Sequence, residues 1–429
     1  MKILISALVV IVVLAGAALA YALGPSAIAT VERPMPESFS GAEVKRGAEL
    51  ARLGYCNTCH TVRGGDPYAG GYAIETSFGT IYSTNITPDE ETGIGRWSQE
   101  AFSRSLREGL DREGHHLYPA FPYTHFTKLT DQDARALYAF FMTRTPIRRS
   151  PRENDLPFPL NWRPVLAGWK LFFFDSGRFE PDGNASDTVN HGAYLVEGLS
   201  HCGACHTPRN FLQAEKRDDF LRGGEAEGWT APAIAGDLPT PKGWTEAGLK
   251  SYLTGSFTAD HGVAAGPMQP VAENLAAVPA ADVEAIAAYV LPKMRSGAGK
   301  LAPAAATSEQ GGNGNDEGRV LYAGLCASCH EASSPARRAH GMNLADSSAL
   351  NEATSRNFVN FVLAGVQPPE GRAGSFMPAL AGSLTDEQLT VLAAYLRHAK
   401  AGLRPWDDLG KTISNVRETM RRADAEPQR

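Results

Sequence analysis

Cys56-Asn57-Thr58-Cys59-His60 decides how this chain is read, because the pattern occurs twice more. Cys202-Gly203-Ala204-Cys205-His206 and Cys326-Ala327-Ser328-Cys329-His330 repeat it, and the three copies use all 6 cysteines. Two thiols at this spacing can bond the two vinyl groups of one haem, and the next residue presents its imidazole to the iron. A lone CxxCH also suits a thioredoxin-like pair, a zinc knuckle or a disulfide. Three copies with no spare cysteine point instead to three covalently bound haems c. Cys56, Cys59, Cys202, Cys205, Cys326 and Cys329 are the attachment sites, and His60, His206 and His330 the proximal ligands.

Outward from each motif the surroundings repeat. Gly47-Ala48-Glu49-Leu50, Gly192-Ala193-Tyr194-Leu195 and Gly318-Arg319-Val320-Leu321 precede the three copies, each predicting a short leading helix. Helical stretches from Trp97 to Gly109, Trp244 to Gly255 and Phe358 to Gly365 end at a glycine stop. Closing helices are expected over Asp131–Met142, Ala281–Val290 and Thr385–Leu396, with apolar residues at helical spacing, such as Leu389, Leu392, Ala393 and Leu396. Leading helix, CxxCH, irregular loops and closing helix make the plan of a small cytochrome c domain. A haem supplies the core that so short a segment cannot build alone.

The fold class that follows is mainly α: three tandem cytochrome c domains after one N-terminal hydrophobic helix. The expected boundaries are residues 1–24 for a signal peptide or anchor, 40–147 for domain 1 and 148–186 for an aromatic, Pro-rich connector. Domain 2 takes 187–295, a flexible linker 296–317, domain 3 318–402, and a C-terminal tail 403–429, expected to fray from Arg417. The connector holds Trp162, Trp169 and Leu171-Phe172-Phe173-Phe174, which suits packing on the domains or on a partner.

Ile3 to Leu23 carries no charge, follows Lys2 and precedes Gly24-Pro25. As a helix it reaches about 31 Å, enough to cross a bilayer core. Ala18-Leu19-Ala20 resembles a signal-peptidase site, so cleaved signal and retained anchor both stand. Either places the body on the periplasmic side of the inner membrane. The 429 residues carry a net charge of −6, with 47 acids against 41 bases, which excludes a basic nucleic-acid surface.

Distal ligands are sought in the loop before each closing helix. Met377 lies 47 residues after His330 and 18 before Tyr395; Met268 lies 62 after His206 and 21 before Tyr289. The matching slot in the first segment, 61 residues after His60 and 19 before Phe140, is Phe121, which cannot bind iron. His125 is the leading substitute there. His115 or His116, Met142 and an open iron remain alternatives. A bis-histidine haem has a lower potential than its His/Met neighbours. His201 is expected to pack near the second haem, and Arg63 and Arg209 either pair with propionates or are solvated. His191, His261, His340 and His398 read as surface or loop residues.

With these residues in view, the chain resembles the triheme cytochrome c subunits of bacterial membrane-associated periplasmic dehydrogenases. The resemblance runs from about Val44 to Trp406. It is carried by Gly79-Thr80-Ile81-Tyr82-Ser83-Thr84-Asn85-Ile86-Thr87-Pro88, His116-Leu117-Tyr118-Pro119-Ala120, Gly192 to Pro208 and Gly228-Trp229-Thr230-Ala231-Pro232. It implies an electron-transfer subunit with no catalytic site of its own, serving a separate dehydrogenase subunit and passing electrons to ubiquinone or a terminal-oxidase route. Relatives of the alcohol-dehydrogenase type have methionine where Phe121 stands. That departure, with Thr124-His125-Phe126, resembles the branch serving molybdenum hydroxylases such as nicotinate dehydrogenase, whose partner carries molybdopterin and iron–sulfur. Subunits of quinoprotein or flavin alcohol, gluconate and aldehyde dehydrogenases are the alternative. A haem enzyme of peroxidase type, using an open first haem, is the alternative of another class, and a free periplasmic shuttle is a third. The sequence holds no Gly-rich dinucleotide loop, P-loop or HExxH motif.

Overall fold

The computed structural model describes residues 22–236, 243–295, 314–335, 341–368 and 374–425, with Ser6 and Gly16. The expected N-terminal apolar helix lies almost wholly outside these residues, as does most of the 296–317 linker, and so does His340. Among the described residues, no helix is long and apolar enough to cross a membrane. The described residues are mainly helical, with two short antiparallel hairpins. It divides into two compact units, Met1–Ser186 with Ala193–His201, and Asp187–Gly192 with Cys202–Arg429.

In the first unit, α1 (Gly41–Leu53) leads into α2 (Cys56–His60). Ser40 caps α1 in a reciprocal capping box with Glu43, which satisfies two backbone N–H groups at the helix start. The hairpin β1 (Ala73–Thr76) and β2 (Gly79–Tyr82) follows, in register Ala73 to Tyr82. Next come α3 (Gln99–Glu108), α4 (Tyr123–Phe126) and α5 (Asp131–Met142). The connector adds α6 (Val165–Phe173).

The crossing of α1 over α5 centres on Gly47. A Cβ there would collide with the Ala136 carbonyl oxygen and lie 2.6 Å from Phe140 Cβ. Only glycine lets the helices approach this closely, and Leu50, Leu53, Leu137 and Phe141 close the core around the contact. The same unit contains the turn Leu195–Leu199, whose Leu195, Val196 and Leu199 are buried. Beside it, the Tyr194 hydroxyl donates to Asp133 Oδ2 at 2.6 Å.

The second unit takes most of α7 (Asp187–Tyr194), then α8 (Gly203–His206) and the hairpin β3 (Gly224–Ala226) and β4 (Trp229–Ala231). Helices α9 (Glu246–Leu253), α10 (Met268–Leu275) and α11 (Ala280–Arg295) complete its first half. The second half holds α12 (Gly314–Leu325), α13 (Ala327–His330), α14 (Ser348–Asn351), α15 (Arg356–Ala364), α16 (Asp386–Ala399) and α17 (Leu409–Ala425).

The glycine crossing recurs twice here. A Cβ on Gly192 would collide with the Ala285 carbonyl and lie 2.8 Å from Tyr289 Cβ; one on Gly318 would lie 2.8 Å from the Val391 carbonyl and 2.5 Å from Tyr395 Cβ. In all three crossings a carbonyl and an aromatic residue four positions later face the glycine, one turn apart on the closing helix. The glycine stops also form: Gly109, Gly255 and Gly365 have φ of 60°, 75° and 71°.

Three expectations change. The closing helix near residue 281 runs on to Arg295, and α12 begins inside the expected linker, at Gly314. The tail does not fray at Arg417: α17 continues to Ala425. Its Leu409, Ile413 and Val416, at helical spacing, are buried in the last core with Phe358, Leu392 and Trp406. Arg417 itself donates to the Ala381 and Leu384 carbonyls.

Candidate functional site: three CxxCH turns

Each CxxCH folds as one helical turn. His206 N donates to Cys202 O at 3.0 Å, and His330 N to Cys326 O at 3.0 Å; the first motif is α2 itself. Positions i, i+3 and i+4 then share a face, so both sulfurs and the imidazole point the same way. Neither a disulfide nor a zinc knuckle needs this histidine. Among the described residues, no group of three or more His, Cys, Asp or Glu side chains is arranged to hold a bare metal ion.

The first thiol of each motif is held protonated by its surroundings. Burial, with Cys59 beside it, pushes the Cys56 thiol up to about 12. Burial and Cys205 push Cys202 up to about 12, and burial and Cys329 push Cys326 up to about 11. Reactive or metal-binding cysteines need the opposite shift.

The imidazoles are oriented from behind. His60 Nδ1 lies 2.7 Å from the Thr84 carbonyl, His206 Nδ1 2.7 Å from Pro232 O, and His330 Nδ1 3.3 Å from Met342 O. A ring donating through Nδ1 is the tautomer whose Nε2 carries the lone pair for a metal. The surrounding protein desolvates His60 and His206 and lowers their pKa values, which favours the neutral, ligating form.

The backbone delivers these carbonyls. Strand β2 ends at Tyr82, just before Thr84, and β4 at Ala231, just before Pro232. Each loop is also tied to its motif, with Gly70 N donating to His60 O and Gly223 N to His206 O. Side-chain motifs cannot show these acceptors, because they are main-chain atoms. Their one trace in the sequence is a short hairpin pattern after the first two motifs.

At the positions expected to supply distal ligands, the segments diverge. Met268 opens α10 after Pro267 and is half-buried. Met377 is half-buried and pairs with Val366 through two backbone hydrogen bonds, just beyond the end of α15. In the first segment Phe121 stacks edge-on against Phe126 at 5.4 Å. His125 is buried in α4, with Nδ1 2.8 Å from the Glu197 carbonyl and its ring 6.4 Å from that of His201. His116 is buried beside Leu110, His115 is exposed and pairs with Asp111, and Met142 is buried at the end of α5.

Of the other singled-out residues, three histidines and one arginine make packing or hydrogen-bond contacts. His201 packs on Tyr55, the residue before Cys56, with ring centroids 5.6 Å apart. His191 pairs with Asp282 at 2.6 Å and His261 stacks on Trp244 at 3.6 Å. Arg209 donates to Ala204 O and Gln213 O, while Arg63 and His398 are exposed.

With this geometry in hand, comparison with known proteins adds the following. A family model for cytochrome c matches residues 44–145, and one for cytochrome C oxidase, cbb3-type, subunit III matches residues 313–396. A nicotinate dehydrogenase subunit of Pseudomonas putida is 45% identical over 395 residues. That covers 91% of this chain but 33% of the relative, so the chain spans about a third of its length. The fructose dehydrogenase cytochrome subunit of Gluconobacter japonicus is 35% identical over 401 residues, 87% of this chain and 82% of that one. The gluconate 2-dehydrogenase cytochrome c subunit of Pantoea cypripedii is 36% identical over 379 residues, 83% and 85%.

Proposed function

We propose that this chain, which belongs to the family of cytochrome c subunits of dehydrogenases, carries three haems c and relays electrons along them. The observation behind this reading is the set of three imidazoles, each in a CxxCH turn with Nδ1 turned to a backbone carbonyl. The six cysteines would hold the haems by thioether bonds, with His60, His206 and His330 as proximal ligands. Met268, Met377 and His125 would be the distal ones.

Haem c supplies a one-electron couple at each site. The protein's part is positional. The Thr84, Pro232 and Met342 carbonyls fix ring orientation and tautomer and make the imidazoles better donors. The three glycine crossings bring leading and closing helices together behind each motif. With Met268, Met377 and His125 as distal donors, the three haems would have unequal potentials.

The electron donor is a dehydrogenase catalytic subunit, and we place the chain on the periplasmic side of the inner membrane, passing electrons to ubiquinone or a terminal oxidase. A molybdenum hydroxylase with molybdopterin and iron–sulfur is the donor we favour. Phe121 with Thr124-His125-Phe126 supports this, as does the 45% identity to the nicotinate dehydrogenase subunit. Similarity over 82% and 85% of the fructose and gluconate dehydrogenase cytochromes supports the second reading, a sugar or alcohol dehydrogenase. Purification from native membranes in mild detergent, with assays for molybdenum, flavin and pyrroloquinoline quinone in what co-purifies, separates them. Molybdenum with iron–sulfur is expected; flavin or the quinone cofactor selects the second reading.

A further inference from the structure

We propose that the connector of the first unit is a membrane foot, with Phe158, Trp162, Leu171 and Phe172 seated in the interfacial layer of a lipid bilayer. This rests on the periplasmic, membrane-attached reading above and adds a second contact to it.

The first observation is the inverted polarity of α6. Its buried face is Leu166, Ala167 and Lys170, and Lys170 is its one charged residue. That ammonium points inward, donating to Glu108 O at 2.6 Å and Gly109 O at 2.7 Å at the end of α3. The outward stripe, Gly168, Leu171 and Phe172, carries no charge, and the last two are 67% and 77% exposed. A helix bathed in water shows the reverse arrangement. Just upstream, Phe158 and Trp162 are 80% and 53% exposed and line an open hollow with Asn161. Scattered exposed apolar residues are ordinary, but four on one short connector mark a surface that meets something apolar.

The second observation names the occupant. The uncharged run Ile3–Leu23 joins the folded unit at Gly24 and Pro25, which pack against Gly114. Leu23 is exposed there. The loop around Gly114 also holds the connector: Arg163 pairs with Asp111 at 3.1 Å, and the Tyr118 hydroxyl donates to Leu160 O at 2.8 Å. One loop therefore carries both the end of the bilayer-length run and the aromatic stretch, so a membrane reached by the first is within reach of the second. Tryptophan and phenylalanine are side chains that settle at the headgroup level.

The test is photolabelling of the full-length holoprotein in phosphatidylethanolamine/phosphatidylglycerol liposomes carrying a diazirine phospholipid, with labelled peptides mapped by mass spectrometry. Label is expected on peptides from both Ile3–Leu23 and Phe158–Phe172. The variant F158S/W162S/L171S/F172S should lose roughly tenfold or more of the connector label, keep label on the N-terminal run and keep its haem spectrum. Label on the N-terminal run alone overturns the proposal and leaves the membrane reading standing. Label on neither overturns both. Protection of the connector by the co-purified dehydrogenase subunit, without lipid label, reassigns the surface to a protein partner.

Discussion

The first CxxCH segment and the two later ones agree behind the histidine and differ at the positions proposed for its distal ligand. Behind it, each imidazole meets a backbone carbonyl, at 2.7 Å in the two hairpin-bearing segments and 3.3 Å at His330, where Met342 serves instead. At the positions proposed for the distal ligands, Met268 opens α10 and Met377 lies in a loop, while the first segment holds Phe121, with His125 four residues on. The proximal half of such a site is specified by chain geometry and tolerates a change of loop. On the proposed reading the distal half would hang on single side chains, so one substitution would re-tune one haem without disturbing the fold.

The largest expected effect probes what the segments share. Gly318→Ala forces a methyl into the Val391 carbonyl and Tyr395, and should cost about 3 kcal/mol or more by denaturant unfolding of the holoprotein. Gly324→Ala, on the same helix with nothing within 4 Å, should stabilise by up to about 1 kcal/mol. Equal effects would show that the crossing does not set the fold.

Next come the distal residues. Met268→Leu and Met377→Leu should each lower one haem potential by on the order of 0.1 V in a redox titration, well inside the roughly 0.8 V that axial ligands span. His125→Met should raise the first haem by a similar amount and narrow the spread among the three. No change on altering His125 would move the ligand to another residue.

A subtler effect belongs to the last segment. Glu352 is buried, with Oε1 3.1 Å from Asn357 Nδ2 and Oε2 without a hydrogen-bond partner among the described residues. Burial pushes its carboxyl from the ordinary 4.5 up to about 8. Tyr252, Arg397 and Asp408 are the ionisable groups around it: Arg397 donates to its backbone carbonyl, and Asp408 accepts from neighbouring Ser355. The folded value lies above the unfolded one, so this contribution to stability is complete below about pH 4.5 and lost as pH rises through about 8. Glu352→Gln should flatten that decline and stabilise the protein at pH 9 by about 1–3 kcal/mol. The smallest effect is expected at Asn357, which holds Thr230 N and O. Asn357→Ala should cost about 1–2 kcal/mol and leave the haem count unchanged.

Much of this was legible in the sequence because it is local or periodic. The CxxCH turns, the glycines within the leading helices and the apolar stripe of α16 are patterns of spacing. Three things were not. The carbonyls of Thr84, Pro232 and Met342 have no side-chain signature. Helix α17 was hidden because Arg417, Arg421 and Arg422 make its second half read as a charged tail, while Leu409, Ile413 and Val416, the residues that bury it, lie before them. Lys170 reads as a surface charge until its place opposite the Glu108 and Gly109 carbonyls is known.

The contrast between segments is tested most directly by low-temperature electron paramagnetic resonance of the fully oxidised holoprotein, with near-infrared magnetic circular dichroism on the same sample. Three low-spin ferric haems are predicted, two with the methionine–iron charge-transfer band and one with the bis-histidine band. A high-spin haem, or three methionine bands, would contradict the account.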